Sequence, residues 1–140
     1  MANSLTFTDS CFQQSKNITS AISTNTKFDV LSSTASNRRL YGFAVLSTDN
    51  ATQTIKIHLN SGSGVMQVCA VSIAPSSGTN GTARAVDVFG SAMCESVFQK
   101  TRDPNGLAYF NIPAGWSIQM EYNTALTAET ITTHIFGEIY

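Results

Sequence analysis

Apolar and polar residues alternate along much of the chain, which is the pattern of strands with one solvent-facing side. In the segment TIKIHL, Ile55, Ile57 and Leu59 are separated by polar residues, and successive side chains of a strand point to opposite faces. The segment SIQMEY, residues 117–122, repeats this alternation. Both segments therefore predict strands that cover a core with one face.

Two further segments, LYGFAVL (40–46) and VMQVCAVSI (65–73), are apolar on both sides. Strands of this kind lie in the middle of a sandwich or carry an outer face that another subunit covers. The remaining strand predictions are 5–8, 17–23, 27–31, 106–111 and 130–139. About nine short strands separated by turns predict a mostly β protein, an antiparallel β-sandwich of jelly-roll or Greek-key type.

One segment departs from the strand pattern. Between about residues 86 and 100, the apolar residues Val86, Phe89, Met93 and Val97 recur at spacings of three and four, which predicts a short helical insertion. No repeat and no linker divides the chain, so we expect one domain over residues 1–140, with a short N-terminal arm over about residues 1–12.

The composition limits the classes of partner. Only 12% of the residues are charged and the net charge is −1, whereas Ser and Thr together number 34. So little charge does not favour nucleic acid or an anionic membrane surface as a direct partner. The segment MANSLTFTDS lacks the pattern of a signal peptide. We therefore expect protein partners, no membrane association, and synthesis in a cytoplasm.

The sequence shows no arrangement typical of catalysis. It contains no HExxH, GxSxG or phosphate-binding loop. His58 and His134 fall at outward positions of strand patterns, which favours solvated or interface side chains. The three cysteines, Cys11, Cys69 and Cys94, are widely spaced and are predicted to be reduced thiols. We expect no enzyme activity, no catalytic residue, no cofactor and no metal site.

Two sets of residues have both a structural and a functional interpretation. Arg38 and Arg39 form the only basic doublet. Their pattern favours an exposed pair at a strand end, and the alternative is a salt bridge to a partner subunit or a phosphate. Trp116, the only tryptophan, is expected to anchor a core or an interface, and the alternative is stacking on a sugar ring.

Residues 85–140 contain, in this order, the segments AVDVFGSAM, DPNGLAYFNIPAGW, SIQMEY and TITTHIFGEIY. This order of segments resembles that of small β-sandwich virion proteins of tailed bacteriophages, of the capsid decoration or cement type. It implies a capsid decoration protein that binds the outer shell of the virion as a symmetric oligomer, with a homotrimer expected. The partners implied are further copies of the chain and the major capsid protein or another virion protein.

Two other functions remain open. One is a neck, tail or baseplate adaptor of the virion, and the less favoured one is a glycan-binding tip module. For an assembly role we expect large apolar and basic side chains to form the subunit or capsid interface. The candidate interface residues are Phe7, Phe12, Arg38, Arg39, Tyr41, Phe43, Trp116 and Tyr140.

Overall fold

The described residues form ten antiparallel strands in two sheets. The computed structural model describes residues 11–20, 22–79, 81–90, 101–106, 108–126 and 130–140. Within these residues no helix is present, which confirms a mostly β, antiparallel fold. The strands are β1 (Cys11–Ile18), β2 (Phe28–Leu31), β3 (Arg38–Ser47), β4 (Gln53–Asn60), β5 (Val65–Ile73), β6 (Val86–Asp87), β7 (Thr101–Arg102), β8 (Ala108–Ile112), β9 (Ser117–Tyr122) and β10 (Ile131–Ile139).

Each sheet brings together strands that are distant in the sequence. Sheet A has the order β1-β10-β3-β8-β7, and β6 also pairs with β3. Sheet B has the order β2-β9-β4-β5. The alternating strands behave as predicted at their apolar positions, since Ile55, Ile57 and Met120 of sheet B and Val45 and Ile135 of sheet A are fully buried. These side chains belong to one hydrophobic core.

Strand β1 begins earlier than the predicted strand at 17–23. Its sequence, CFQQSKNI, is mostly polar and mostly exposed, so its apolar pattern is weak. Pairing with β10 along eight positions, from Cys11↔Glu138 to Ile18↔Ile131, defines the strand instead. Backbone pairing with a long neighbour can hold a segment in a strand where its own side chains give little signal.

The predicted helical insertion at about 86–100 is not helical where the structure describes it. Val86 pairs with Val45 of β3, and the backbone N–H of Val88 donates to the carbonyl of Phe43 at 2.9 Å. Phe89 packs against the ring of Phe110, with centroids 4.2 Å apart. The apolar spacing at 86–89 therefore arises from strand pairing and core packing. Residues 91–100 lie outside the described residues.

One cysteine prediction is wrong. Cys69 takes part in a disulfide bond, whereas Cys11 is a free, exposed thiol. Sequence spacing could not show this, because a disulfide depends on the spatial separation and direction of two side chains. Cys94, Phe7 and the predicted strand at 5–8 fall outside the described residues.

The Pro-Ala-Gly-Trp corner between β8 and β9 is held by the loop that precedes β3. The backbone N–H of Ala114 donates to the side-chain carbonyl of Asn37 at 2.9 Å, and that of Gly115 donates to the carbonyl of Thr34 at 2.7 Å. Gly115 has a φ of +80°, a conformation that glycine adopts without steric cost. The corner fixes Trp116 at the start of β9.

Candidate functional site

The outer face of sheet A carries an ordered group of polar and aromatic side chains, which we call the Arg39 cluster. It comprises Arg39 and Tyr41 of β3, Tyr109 of β8, Glu138 of β10 and the adjacent Tyr140. The register between β10 and β3 shifts at Phe136/Gly137, and a bulge of this kind changes the direction of nearby side chains.

Arg39 lies at the centre of the cluster. Its guanidinium carbon is 5.0 Å from the ring centroid of Tyr109 and 4.4 Å from that of Tyr140, within the range of cation–π attraction. Its Nη1 donates to Oε1 of Glu138 at 3.2 Å. The guanidinium is therefore held by two rings and one carboxylate while its side chain remains partly exposed.

Tyr41 extends the hydrogen bonding of this cluster. Its hydroxyl donates to Oε1 of Glu138 at 2.8 Å, and its ring meets that of Tyr109 edge to face at 6.1 Å. Burial, together with the hydrogen bond to Glu138 and the negative charge of that residue, raises the pKa of Tyr41 to about 12. The phenol therefore remains a hydrogen-bond donor at neutral pH.

Tyr140 is held by contacts at both its backbone and its side chain. Its backbone N–H donates to the carbonyl of Asn37 at 3.1 Å, and its hydroxyl donates to Oδ1 of Asn111 at 2.9 Å. One face of the ring covers Arg39, yet 53% of the residue is exposed. These contacts within the chain fix the position of the ring.

Beside the Arg39 cluster lies a shallow apolar groove of about 420 Å³. Tyr41 is common to both features, and Phe136 forms another part of the wall while remaining 43% exposed. The groove is lined by Cys11, Phe12, Gln13, Tyr41, Phe136 and Gly137. We call the groove and the Arg39 cluster together the sheet A surface.

Four of the predicted interface residues meet on the sheet A surface, namely Phe12, Arg39, Tyr41 and Tyr140. Sequence reasoning missed Phe136, although the alternation in TITTHIFGEIY places this phenylalanine on the outward side with Thr132 and His134. The sequence did contain a signal for this residue, because Phe136 is an aromatic residue on the side of the strand that is otherwise polar.

Two other predicted interface residues lie inside the fold. Arg38 is only 2% exposed, so the expectation of an exposed arginine doublet is wrong for this residue. Its guanidinium donates to the carbonyl of Ser32 at 2.7 Å and to that of Trp116 at 2.8 Å, and burial lowers its pKa. Phe43 is a core residue whose ring packs edge to face on Phe89.

Trp116 lies outside the sheet A surface, immediately before β9 of sheet B. It packs partly against the core and lines a second groove of about 310 Å³, which we call the hairpin groove. The other residues of the hairpin groove are Leu59, Ser61, Gly64, Val65 and Met66.

The two histidines differ in their surroundings. His58 was expected to face outward in contact with solvent or a partner, but it is buried. Its Nε2 lies 3.3 Å from Oε1 of Glu121, an oxygen that also lies 3.6 Å from Nζ of Lys56. Burial lowers the pKa of His58, and the charge of Glu121 acts in the opposite direction. The Nδ1 of His134 lies 2.7 Å from the hydroxyl of Ser15.

Among the described residues, no three His, Cys, Asp or Glu side chains come close enough to hold a metal ion. No helix in this part of the chain has the length and apolar character needed to span a membrane.

No protein-family model matches the chain, and a search of curated proteins returned no significant match.

Proposed function

We propose that this protein is a structural component of a tailed-phage virion, a capsid decoration or cement protein that binds the outer shell as a symmetric oligomer. The order of segments over residues 85–140 supports this proposal, as does the two-sheet antiparallel fold, for which we propose a jelly-roll or Greek-key sandwich. The proposed assembly is a homotrimer, made in the host cytoplasm and incorporated into the virion.

The observation that carries the proposal is the composition of the sheet A surface. Phe136 and Tyr140 are large, exposed aromatic side chains, and an arginine lies between two tyrosine rings beside them. Tyrosine and arginine are enriched among the residues that dominate the binding energy of protein interfaces. A protein surface, such as the major capsid protein or another virion protein, is the partner class that fits this composition.

The preorganisation of the surface also favours a binding role. Ordering a flexible side chain on binding costs about 0.5–1.5 kcal/mol. Arg39, Tyr41 and Tyr140 already make hydrogen bonds within the chain, so little of this cost remains. A protein that binds only the assembled shell stabilises it by mass action, and contacts repeated by symmetry add to its retention.

A neck, tail or baseplate adaptor is the second candidate, because the same surface could bind those parts of a virion. Copy number distinguishes the two proposals. Hundreds of copies spread over the shell support decoration, whereas about six or twelve copies at one vertex support an adaptor. The glycan-binding alternative is less favoured, since Trp116 packs partly against the core.

Binding of variants to purified particles that lack the protein tests the role of the sheet A surface. Arg39→Ala combined with Tyr140→Ala should reduce the bound amount at least tenfold, as the loss of one interface hot spot would. Lys16→Ala is the matched control, because it also removes a surface cation but lies away from the cluster. Equal binding of all three proteins would contradict the proposed surface.

A further inference from the structure

The tip of the β4–β5 hairpin presents apolar side chains to solvent on both of its faces. Val65 is 48% exposed and Met66 is 56% exposed, and they occupy successive positions of β5. Successive side chains of a strand point to opposite faces. Both faces of β5 are therefore partly exposed at this end of the strand. We call this end of the hairpin, residues 59–67, the hairpin tip.

The hairpin tip also lacks the residues that commonly prevent an exposed edge strand from pairing with another chain. Among the described strands β5 is the last in sheet B, and exposed edge strands are commonly protected by charged residues or proline. The sequence contains no Asp, Glu, Lys or Arg between His58 and Arg84. The strands that end the sheets elsewhere do carry charge, with Lys16 in β1, Asp29 in β2 and Arg102 in β7.

The turn at the hairpin tip is held by its own hydrogen bonds. The backbone N–H of Ser61 donates to the carbonyl of Gly64 at 3.0 Å, and that of Gly62 donates to Oδ1 of Asn60 at 2.8 Å. These bonds fix the start of β5. Val65 and Met66 are thus presented by an ordered turn.

A protruding side chain and a receiving groove lie side by side at the hairpin tip. Met66 forms one wall of the hairpin groove, and Leu59 and Trp116 form others. In a contact with two-fold symmetry, each copy offers the same patch, so a projecting group of one copy meets the groove of the other. Such a patch can complement itself.

We propose that the hairpin tip binds the hairpin tip of a second copy of this chain, with the two β5 strands antiparallel about a two-fold axis. The absence of charge argues for this occupant, because two identical charged edges would repel each other, whereas two uncharged edges do not. Met66 of each copy lies beside the axis, close to Met66 of the other copy, and packs toward Leu59 and Trp116 of that copy. This inference does not depend on a virion role.

The mass of the purified protein in solution tests this contact. Met66→Lys places a charge at the proposed axis and should halve the mass measured by sedimentation. The change is from dimer to monomer or, where other contacts form the proposed homotrimer, from a pair of trimers to a single trimer. Ser72→Lys is the matched control, since it adds the same charge at an exposed position of the same strand but outside the tip. This control should leave the mass unchanged.

Cross-linking gives an independent test that does not rely on a destabilising charge. Met66→Cys in a Cys11→Ser background should form a disulfide-linked dimer on mild oxidation, and Ser72→Cys in the same background should not. The proposal would be overturned if Met66→Lys had the same mass in solution as the wild type. It would also be overturned if the wild-type protein were monomeric at all concentrations. Neither result would bear on whether the protein is found on particles.

Discussion

Replacing Gly137 with alanine tests the packing beneath the sheet A surface. Gly137 lies at the register shift between β10 and β3, opposite Leu40 of β3 and Phe12 of β1. A Cβ added there would overlap the carbonyl oxygen of Arg39 and would lie 2.8 Å from Cε1 and Cζ of the Phe12 ring. Carbon atoms in optimal contact are about 3.5–4.0 Å apart, so the strands or the ring must move.

The size of the expected effect follows from these contacts. Overpacking a well-packed site costs about 1–3 kcal/mol, and the carbonyl oxygen, as part of the paired backbone, cannot turn aside as a flexible side chain can. We therefore expect a loss of about 3 kcal/mol. For a chain of 140 residues the entropy of unfolding is about 0.3 kcal/mol/K, which converts this loss into a fall in Tm of about 10 °C.

Thermal unfolding followed by circular dichroism measures this change. Gly64→Ala is the matched control, because a Cβ at Gly64 meets nothing within 4 Å. This substitution should leave the stability unchanged or raise it by up to about 1 kcal/mol through the unfolded state. If Gly137→Ala were as stable as the wild type, the described contact between β10, Phe12 and the Arg39 carbonyl would be wrong.

Three further predictions concern titration and the core. Burial lowers the pKa of His58, so the unfolded chain binds a proton on this histidine more readily than the folded chain does. The free energy of unfolding should therefore fall as the pH drops below about 6.5. NMR titration should show the lowered pKa of His58, and Glu121→Gln should lower this pKa further. The pKa of Tyr41 is raised to about 12, so the neutral phenol contributes fully to the free energy of unfolding below about pH 10, and this contribution is lost as the pH rises toward 12. Absorbance titration should show the raised pKa, and Glu138→Gln should lower it. Ile57 is fully buried, and Ile57→Ala should cost about 2–5 kcal/mol in urea unfolding, whereas a loss below about 1 kcal/mol would contradict its place in the core.

The apolar patterns in the sequence predicted three strands of sheet B well. β4, β5 and β9 lie where the patterns around Ile57, Val71 and Met120 placed them, because each contributes buried side chains to a shared core. The pattern failed where pairing rather than burial decides the structure. β1 is a mostly polar strand held by β10, and Val86 belongs to a short strand on β3.

The candidate site was predictable only in part. The sequence indicated Phe12, Arg39, Tyr41 and Tyr140 as interface residues by their size and charge, but it could not show that they meet. That meeting depends on the strand order of sheet A, which places β10 between β1 and β3. The burial of Arg38 was also unpredictable, since one of the two carbonyls that accept its hydrogen bonds belongs to Trp116, 78 residues away in the sequence.

The location and copy number of this protein on virions test the central claim most directly. Quantitative mass spectrometry of purified particles, combined with cryo-electron microscopy of the same particles, measures both. We expect hundreds of copies in symmetric sets on the outer surface of the capsid. Purified particles that lack the protein would contradict it.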